Sequence, residues 1–215
     1  HGLGIGVTEA VTSAEAIELA RLDWEVTLGP LYGPKTEGHV NRVEGRFSVY
    51  RSTDKKVLGI SSNRYVPLQN AEAFDFLDSL LQDGVLRYET AGALLGGRKV
   101  FLLAKMEGGM QVGSDEYINY LLLTNRHDRW EKVRVLPTTV RVVCNNTLQV
   151  ALGSGQGRGV AITHNSGMKA KMEQAKEVLR ITTEASRRMA EWLSRLQEEQ
   201  VTPAQVAEVQ TAVVG

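Results

Sequence analysis

The sequence has very few of the features that define several large protein classes. Its 215 residues contain one cysteine, Cys144, so no intramolecular disulfide can form and a reducing compartment is favoured. It has no run of about 18 apolar residues, as a membrane-spanning helix requires, and no basic and apolar leader. We therefore expect a cytoplasmic protein without membrane contact. The opening His1-Gly-Leu-Gly predicts a trimmed version of a longer protein.

An excess of charge of either sign is also absent. The chain has 25 basic and 25 acidic residues, and its formal net charge is zero. This balance excludes a protein coated in positive charge, such as a histone-like binder. It allows a local basic groove, because a few well-placed cations are enough to contact phosphates. Residues 126–141 contain such a local excess, with five cations and two acids.

The motifs of the common catalytic and metal-binding classes are missing. The run from Gly153 to Gly159 lacks the lysine of a phosphate-binding P-loop, so we interpret it as a flexible loop, with phosphate contact as the alternative. The four histidines show no ligand spacing, and we expect no metal and no other cofactor. His127 and Asp128 could form a base and its orienting acid, but adjacent side chains point in different directions. We predict that the protein is not an enzyme.

The N-terminal half is predicted to combine short helices with a β-hairpin. A capping box from Thr12 to Glu15 starts a helix to about Leu22, and a strand over 24–28 precedes a loop from Gly29 to Gly38. Residues 43–50 and 57–60 alternate with period two around a turn, which predicts a hairpin with a basic tip. Asn70 is expected to cap a helix to about Gln82.

The rest of the chain is predicted to form a sheet and a long helix. Strands are expected at 86–95, 98–106, 117–126 and 131–144, and Pro137 in the last of them indicates an edge or a bulge. Short connections favour an antiparallel or mixed sheet, so the fold class is α+β. From Met168 to Leu196 the apolar residues have three-four spacing, which predicts a long C-terminal helix.

The predicted long helix determines how we divide the chain into domains and what oligomeric state we expect. We predict an α+β core domain over 1–165 and a C-terminal helical segment over 166–215. The apolar stripe of this helix needs a partner groove, and a homo-oligomer would supply one. The alternative is a helix folded back on the sheet of its own chain.

Arginines and asparagines are concentrated in the predicted last strand. Arg141 lies between Val140 and Val142, so it should face away from their buried side, and Asn145 should help to cap a helix beginning at Thr147. One interpretation is an arginine paired with Glu131 or Asp128, plus ordinary capping. The other is a polar strip that holds a phosphate-sugar backbone. The residues predicted to bind nucleic acid are Arg126, Lys132, Arg134, Arg141 and Asn145, with Lys55, Lys56 and Arg64 on the hairpin side and Tyr65 or Trp130 as stacking platforms.

Several blocks of the sequence resemble those of a phage/plasmid-like protein family of unknown function. The most specific block is 137–148 (PTTVRVVCNNTL), and others are 1–4, 22–24, 63–70 and 124–128. Members usually carry an aromatic or acidic residue and then Gly-Ser after the Thr-Asn-x-His block, whereas this chain has Asp128-Arg129-Trp130. The order of hairpin, helix, sheet and long helix is similar to the single-strand annealing proteins of phages and to the eukaryotic strand-annealing mediator.

The resemblance implies replication, recombination or host-defence work. Together with the cation cluster, it predicts a single-stranded DNA-binding and annealing protein of a phage or plasmid recombination system. This protein would act without enzymatic chemistry, as a ring-like or filamentous homo-oligomer. One alternative is a structural or regulatory interaction protein of a mobile element that binds no nucleic acid. Another is an enzyme with a site at His127, Asp128 and Arg141.

Overall fold

The computed structural model describes residues 4–36, 38–82, 84, 86–107, 110–112, 115–154 and 159–177. Over this part of the chain the fold is α+β, as predicted, and every strand pairing is antiparallel. The strands are β1 (Ile5–Gly6), β2 (Val26–Thr36), β3 (His39–Arg51), β4 (Val57–Ser62), β5 (Leu86–Leu94), β6 (Lys99–Met106), β7 (Met110–Val112), β8 (Asp115–Tyr117), β9 (Tyr120–Arg126), β10 (Val133–Thr138) and β11 (Val160–Ile162). The helices are α1 (Ser13–Leu19), α2 (Asn70–Gln82), α3 (Asn145–Ser154) and residues 168–177.

The central sheet has the order β1-β5-β6-β9-β10-β11, and its middle strands are buried on both faces. One face packs with α1, α2 and the helical residues 168–177 in the larger hydrophobic cluster, which includes Leu102 and Leu123. The opposite face packs with α3 in a second cluster, which includes Phe101 and Leu122. Because both faces are covered, β6 and β9 are apolar throughout and do not alternate.

The predicted N-terminal hairpin is confirmed and is longer than expected. β3 and β4 pair around the tip at residues 52–56, and β2 adds a third strand, in the order β2-β3-β4. The predicted loop from Gly29 to Gly38 is wrong, because β2 continues to Thr36 and pairs with β3 as far as His39. An edge strand tolerates prolines, because one of its sides needs no backbone donor, and register shifts on either side of Tyr32 absorb the irregularity.

Several predicted boundaries also need correction. α1 ends at Leu19 and not near Leu22, because Arg21 has a positive φ of 56° that no helix can continue through. The strand predicted over 131–144 ends at Thr138, so Arg141 lies in an irregular segment. Pro137 pairs with β9 alone, because β11 faces only residues 133–135 of β10, so it does lie on a local edge.

The beginning of the C-terminal helix is packed on the protein's own core. Met168, Met172 and Ala175 are buried in the larger cluster, so this part of the predicted apolar stripe is already covered within one chain. The part of the predicted long helix after residue 177 lies outside the described residues, as do residues 155–158 of the glycine-rich run. Across the described ranges, no helix is long and apolar enough to cross a membrane.

Candidate nucleic-acid interface

A network of ion pairs holds the turn that follows β9. Arg126 Nε donates to Asp128 Oδ1 at 2.8 Å, and its Nη1 donates to Glu131 Oε1 at 3.0 Å. Lys99, opposite Arg126 on β6, donates from Nζ to Glu131 Oε2 at 2.9 Å. Burial raises the pKa of Glu131, but the two cations lower it further, so the net pKa is below its usual value. The paired-arginine interpretation therefore holds at Arg126, which positions the turn.

The turn presents Trp130 to solvent. The indole side chain is 82% exposed, while the backbone N–H of Trp130 donates to Asp128 Oδ1 at 3.3 Å. The preceding Arg129 has a positive φ of 68°, and its Cζ lies 6.0 Å from the centroid of the Tyr65 ring. Four charged groups therefore hold the backbone of a turn that carries a large exposed aromatic side chain, next to Arg129 in the sequence.

This turn borders a cleft along the free edge of β4, which we name the β4 cleft. The strand lies close to the turn at Gly59, where an added Cβ atom would be 2.7 Å from Asp128 Cα. Only glycine allows this contact without a backbone shift. The residues that line the β4 cleft are Leu58, Gly59, Ile60, Arg98, Asp128, Arg129 and Trp130.

The hairpin tip carries two exposed cations, and one of them lies near the β4 cleft. Lys56 Nζ lies against the turn at Gly96, two residues before Arg98. Lys55 Nζ lies 5.7 Å from the centroid of the Tyr50 ring. Among the described residues, neither lysine forms an ion pair. The structure therefore places Lys56 beside the turn that precedes Arg98, and it leaves both lysines without an ion-pair partner among the described residues.

A second cleft lies where β2 and β3 extend beyond the core. Tyr32 is more than half exposed and is the register partner of Arg42. The guanidinium carbon of Arg42 lies 6.0 Å from the centroid of the Phe47 ring. We name this region the arm cleft, and its lining residues are Leu28, Gly29, Pro30, Tyr32, Arg42, Phe47 and Asn63. Sequence reasoning missed it, because its two aromatic side chains belong to segments interpreted as a loop and as an ordinary hairpin.

The other predicted site residues are spread over the molecule. Arg64 and Lys132 are exposed, and no described residue forms an ion pair with either. Asn145 is exposed at the first turn of α3. α3 begins at Asn145 and not at Thr147, and Thr147 Oγ1 reaches back to accept from the N–H groups of Val143 and Cys144, which precede the helix, at 3.0 and 3.1 Å.

Arg134 and Arg141 do not share a strip. Arg141 is 60% exposed and forms an ion pair of 2.6 Å with Glu89 of β5, whereas Arg134 lies on β10. Two strands, β6 and β9, separate β10 from β5, the strand that carries Glu89, so β5 and β10 are about three strand spacings, or roughly 14 Å, apart. The predicted continuous strip of arginines is thus divided between two sides of the sheet, near β5 and on β10.

Tyr65 belongs to a buried polar cluster. Its hydroxyl donates to the carbonyl of His127 at 3.4 Å, and its ring is almost fully buried, so it offers no face for stacking. His127 Nε2 lies 3.1 Å from Asn70 Oδ1, and Asn70 Nδ2 donates to the carbonyl of Leu22 at 2.9 Å. This side chain ties two loops together and does not cap α2. The sequence offered one indication of this buried cluster, because Asn70 and His127 each belong to one of the blocks that carry the family resemblance.

Burial keeps the histidines of this cluster neutral. It lowers the pKa of His127 to about 3 and that of His164 to about 4. His127 pairs with Asn70, whereas the Asp128 carboxylate binds Arg126. The three residues of the enzymatic alternative are therefore not assembled into one site. The described residues also contain no group of three or more His, Cys, Asp or Glu side chains that could hold a metal ion.

Comparison with known proteins places the chain in a family. A model described as "Domain of unknown function (DUF932)" matches residues 57–214, which is most of the chain. No curated protein and no solved structure matches it. The matched region includes β4, the turn with Trp130 and the segment of the 137–148 block, so both sides of the β4 cleft lie within the family domain.

Proposed function

Because the chain belongs to the DUF932 family, whose function is unknown, we propose from its own residues that it binds single-stranded nucleic acid along the β4 cleft. The observation that carries the proposal is the 82% exposed Trp130. It stands on a turn that ion pairs fix, with Arg129 and Arg98 in the same cleft. Burying an apolar side chain is the usual way to stabilise a fold, so an indole left this exposed is available for a ligand to stack on.

A single strand fits this surface better than a duplex does. Stacking on an aromatic side chain requires the face of a base, and in a duplex both faces are covered by neighbouring base pairs. Lys55, Lys56 and Arg64 supply cations for the phosphates on the hairpin side, and Lys132 supplies one next to the turn. These charges have no acidic partner among the described residues. Phosphate contacts of this kind carry no sequence information.

The arm cleft extends the same chemistry to a second base. The exposed Tyr32 and the Arg42–Phe47 pair resemble the combination of Trp130 with Arg129, in that an aromatic ring and a guanidinium lie together. The arm cleft is formed by β2 and β3 with Asn63, and the β4 cleft is formed by β4 with Arg98 and the turn at Trp130. In this proposal one strand of several nucleotides contacts both clefts through its bases, and nearby cations hold its phosphates.

Annealing would follow from assembly. A homo-oligomer that aligns these sheets side by side would extend one strand across many subunits and keep the free edges of its bases available for a complementary strand. No covalent step is needed, and the protein would act without a metal or another cofactor. In this proposal the protein serves recombination of a phage or plasmid, and the rival is an interaction protein of a mobile element without nucleic-acid binding.

The test is the affinity of the full chain for a fluorescein-labelled oligothymidylate, measured by fluorescence anisotropy. Replacing Trp130 by alanine should weaken binding by about 5- to 150-fold, since stacking on one aromatic residue contributes about 1–3 kcal/mol. The matched control is Val150→Ala, which truncates another exposed apolar side chain, on α3. It should leave the affinity unchanged.

The rival function predicts a different result. If the folded wild-type protein shows no binding at low salt, the interaction-protein alternative is favoured. If it binds but Trp130→Ala and Val150→Ala have the same affinity, the strand does not use the β4 cleft.

A further inference from the structure

Two buried polar atoms on the α3 side of the central sheet have no hydrogen-bond partner among the described residues. Thr124 is 1% exposed, and neither its Oγ1 nor the buried Nε of Arg134 forms a hydrogen bond within the described part of the chain. The two residues are direct register partners on β9 and β10. Cβ atoms in such pairs are about 4.5–5.5 Å apart, so the two groups are close neighbours.

The direction of both side chains follows from the alternation of the strands. Leu122 and Leu136 belong to the hydrophobic cluster under α3, and Thr124 and Arg134 are each two residues away from one of them. Side chains two residues apart on a strand point to the same face. Ala161, the register partner of Arg134 on β11, has only a methyl side chain and is exposed.

The charges at this end of the sheet do not balance. Three cations, Lys99, Arg126 and Arg134, lie on this face near the end of the sheet. Two carboxylates, Asp128 and Glu131, bind the first two cations. The half-buried guanidinium of Arg134 is therefore left without a counter-charge among the described residues. Burying a cation without a partner is costly, so a bound anion would stabilise this arrangement.

The chemistry of the unpartnered atoms selects the ligand. An arginine Nε–H can only donate a hydrogen bond, and a threonine hydroxyl can donate one as well. A ligand with several oxygen acceptors and negative charge would satisfy both groups at once, and a planar guanidinium suits the oxygens of a phosphate. We infer that Thr124 and Arg134 form a binding site for a phosphate group, on the opposite face of the central sheet from the larger hydrophobic cluster.

The inference does not require nucleic-acid binding, and it is tested without nucleic acid. Thermal unfolding of the full chain is followed in a sodium phosphate series, with sodium chloride keeping the ionic strength constant. A site that binds only the folded state should raise the Tm by about 3–6 °C at ten times the dissociation constant. Thr124→Val, which keeps the side-chain shape and removes the hydroxyl, should lose most of this rise.

Two further variants make the result specific. Arg134→Gln should also lose the rise. Lys171→Gln, which removes an exposed cation from the helical residues 168–177, should keep it. If the wild type shows no phosphate-dependent rise, or if Thr124→Val keeps the full rise, the site is not a phosphate site. An internal water molecule then satisfies the two atoms.

A second experiment distinguishes the source of the phosphate group. If the ligand is the backbone of a nucleic acid, inorganic phosphate should compete with the labelled oligothymidylate, and Arg134→Gln should weaken oligonucleotide binding by several-fold. If the ligand is free phosphate or a mononucleotide, the thermal shift should be present while the oligonucleotide affinity of Arg134→Gln equals that of the wild type. Either outcome, with the thermal shift, supports the site.

Discussion

Residues of the same type in this protein have very different roles, and the two best-defined arginines show this. The side chain of Arg126 is 15% exposed and binds Asp128, whose own side chain is 3% exposed. Arg141 is 60% exposed, and its partner Glu89 is more accessible than Asp128. Sequence alone treated both as candidate phosphate ligands, because neither burial nor pairing is visible in a pattern of charges.

The first prediction concerns these two arginines. Arg126→Ala should lower the free energy of unfolding by about 3–5 kcal/mol, because it leaves the Asp128 carboxylate buried without a counter-charge. Arg141→Ala should lower it by less than about 1 kcal/mol, because solvent screens an exposed ion pair. Urea unfolding of both variants provides the comparison. Equal losses would show that the network around Asp128 does not hold the turn.

The second prediction concerns the buried histidines. His127 and His164 have lowered pKa values of about 3 and about 4, caused mainly by burial, whereas an unfolded histidine titrates near 6.5. Below pH 6.5 the unfolded state therefore binds more protons than the folded state. This stability contribution is complete above pH 6.5 and is lost as the pH falls toward 4, by up to about 1.4 kcal/mol per pH unit for each histidine.

Urea unfolding between pH 7 and pH 4.5 measures this dependence. His164→Leu removes one of the two histidines and should therefore reduce the slope of this profile by about half. Leucine suits the position because neither ring nitrogen of His164 has a hydrogen-bond partner among the described residues. A wild-type stability that stays constant from pH 7 to pH 4.5 would contradict the buried, neutral state of both rings.

At the scale of elements, the sequence predicts strands well where the pattern of residue types is not interrupted, as in β5 and β6. The β3–β4 hairpin was predicted because its period-two alternation is regular. β2 was cut short at Gly29 because Pro30, Gly33 and Pro34 are typical of loops. The prolines are accommodated only because β2 is the edge strand of a three-stranded sheet, and edge position depends on strand order, which no local pattern encodes.

Only part of the candidate site could be predicted from the sequence, because a sequence shows residue types but not contacts between distant segments. Lys55, Lys56 and Trp130 were identified by residue type, and all three are exposed in the structure. The involvement of Arg98 and Gly59 could not be predicted, because contacts between residues 59 and 128 depend on how the hairpin packs on the central sheet.

The third prediction tests that packing. Gly59→Ala places a Cβ atom 2.7 Å from Asp128 Cα, so β4 or the turn must shift. We expect a loss of about 1–3 kcal/mol in the free energy of unfolding, together with weaker oligonucleotide binding. Gly6→Ala is the matched control, since a Cβ atom on this β1 glycine meets nothing within 4 Å. Equal stability of the two variants would mean that β4 does not pack tightly against the turn.

At the scale of the whole molecule, the hairpin sheet extends beyond the core. Residues 39–46 of β3 are exposed, and they include the apolar Val40 and Val43. A strand that is solvated along this length, with apolar side chains on it, is suited to contact with another chain. The buried Met168 and Met172 remove the first part of the C-terminal helix from this role.

The fourth prediction therefore places the subunit contact at residues 39–46 of β3. Light scattering of the full chain at micromolar concentration should give a multiple of the 23.6 kDa chain mass. Replacing Val40 and Val43 by glutamate should reduce this mass, whereas Val150→Glu, on exposed α3, should not. A wild-type mass equal to one chain would contradict the homo-oligomer.

The central claim is that unneutralised cations and exposed aromatic side chains along the hairpin sheet hold a single strand. Its most direct test is the affinity for labelled oligothymidylate over a series of salt concentrations. If about four to six phosphates are neutralised per subunit, the log–log slope should be about −3 to −4. Replacing Lys55, Lys56, Arg64 and Lys132 together by glutamine should reduce its magnitude by about 2 to 3. A folded quadruple variant with the wild-type slope, or a wild type that binds no oligonucleotide at low salt, would contradict the account.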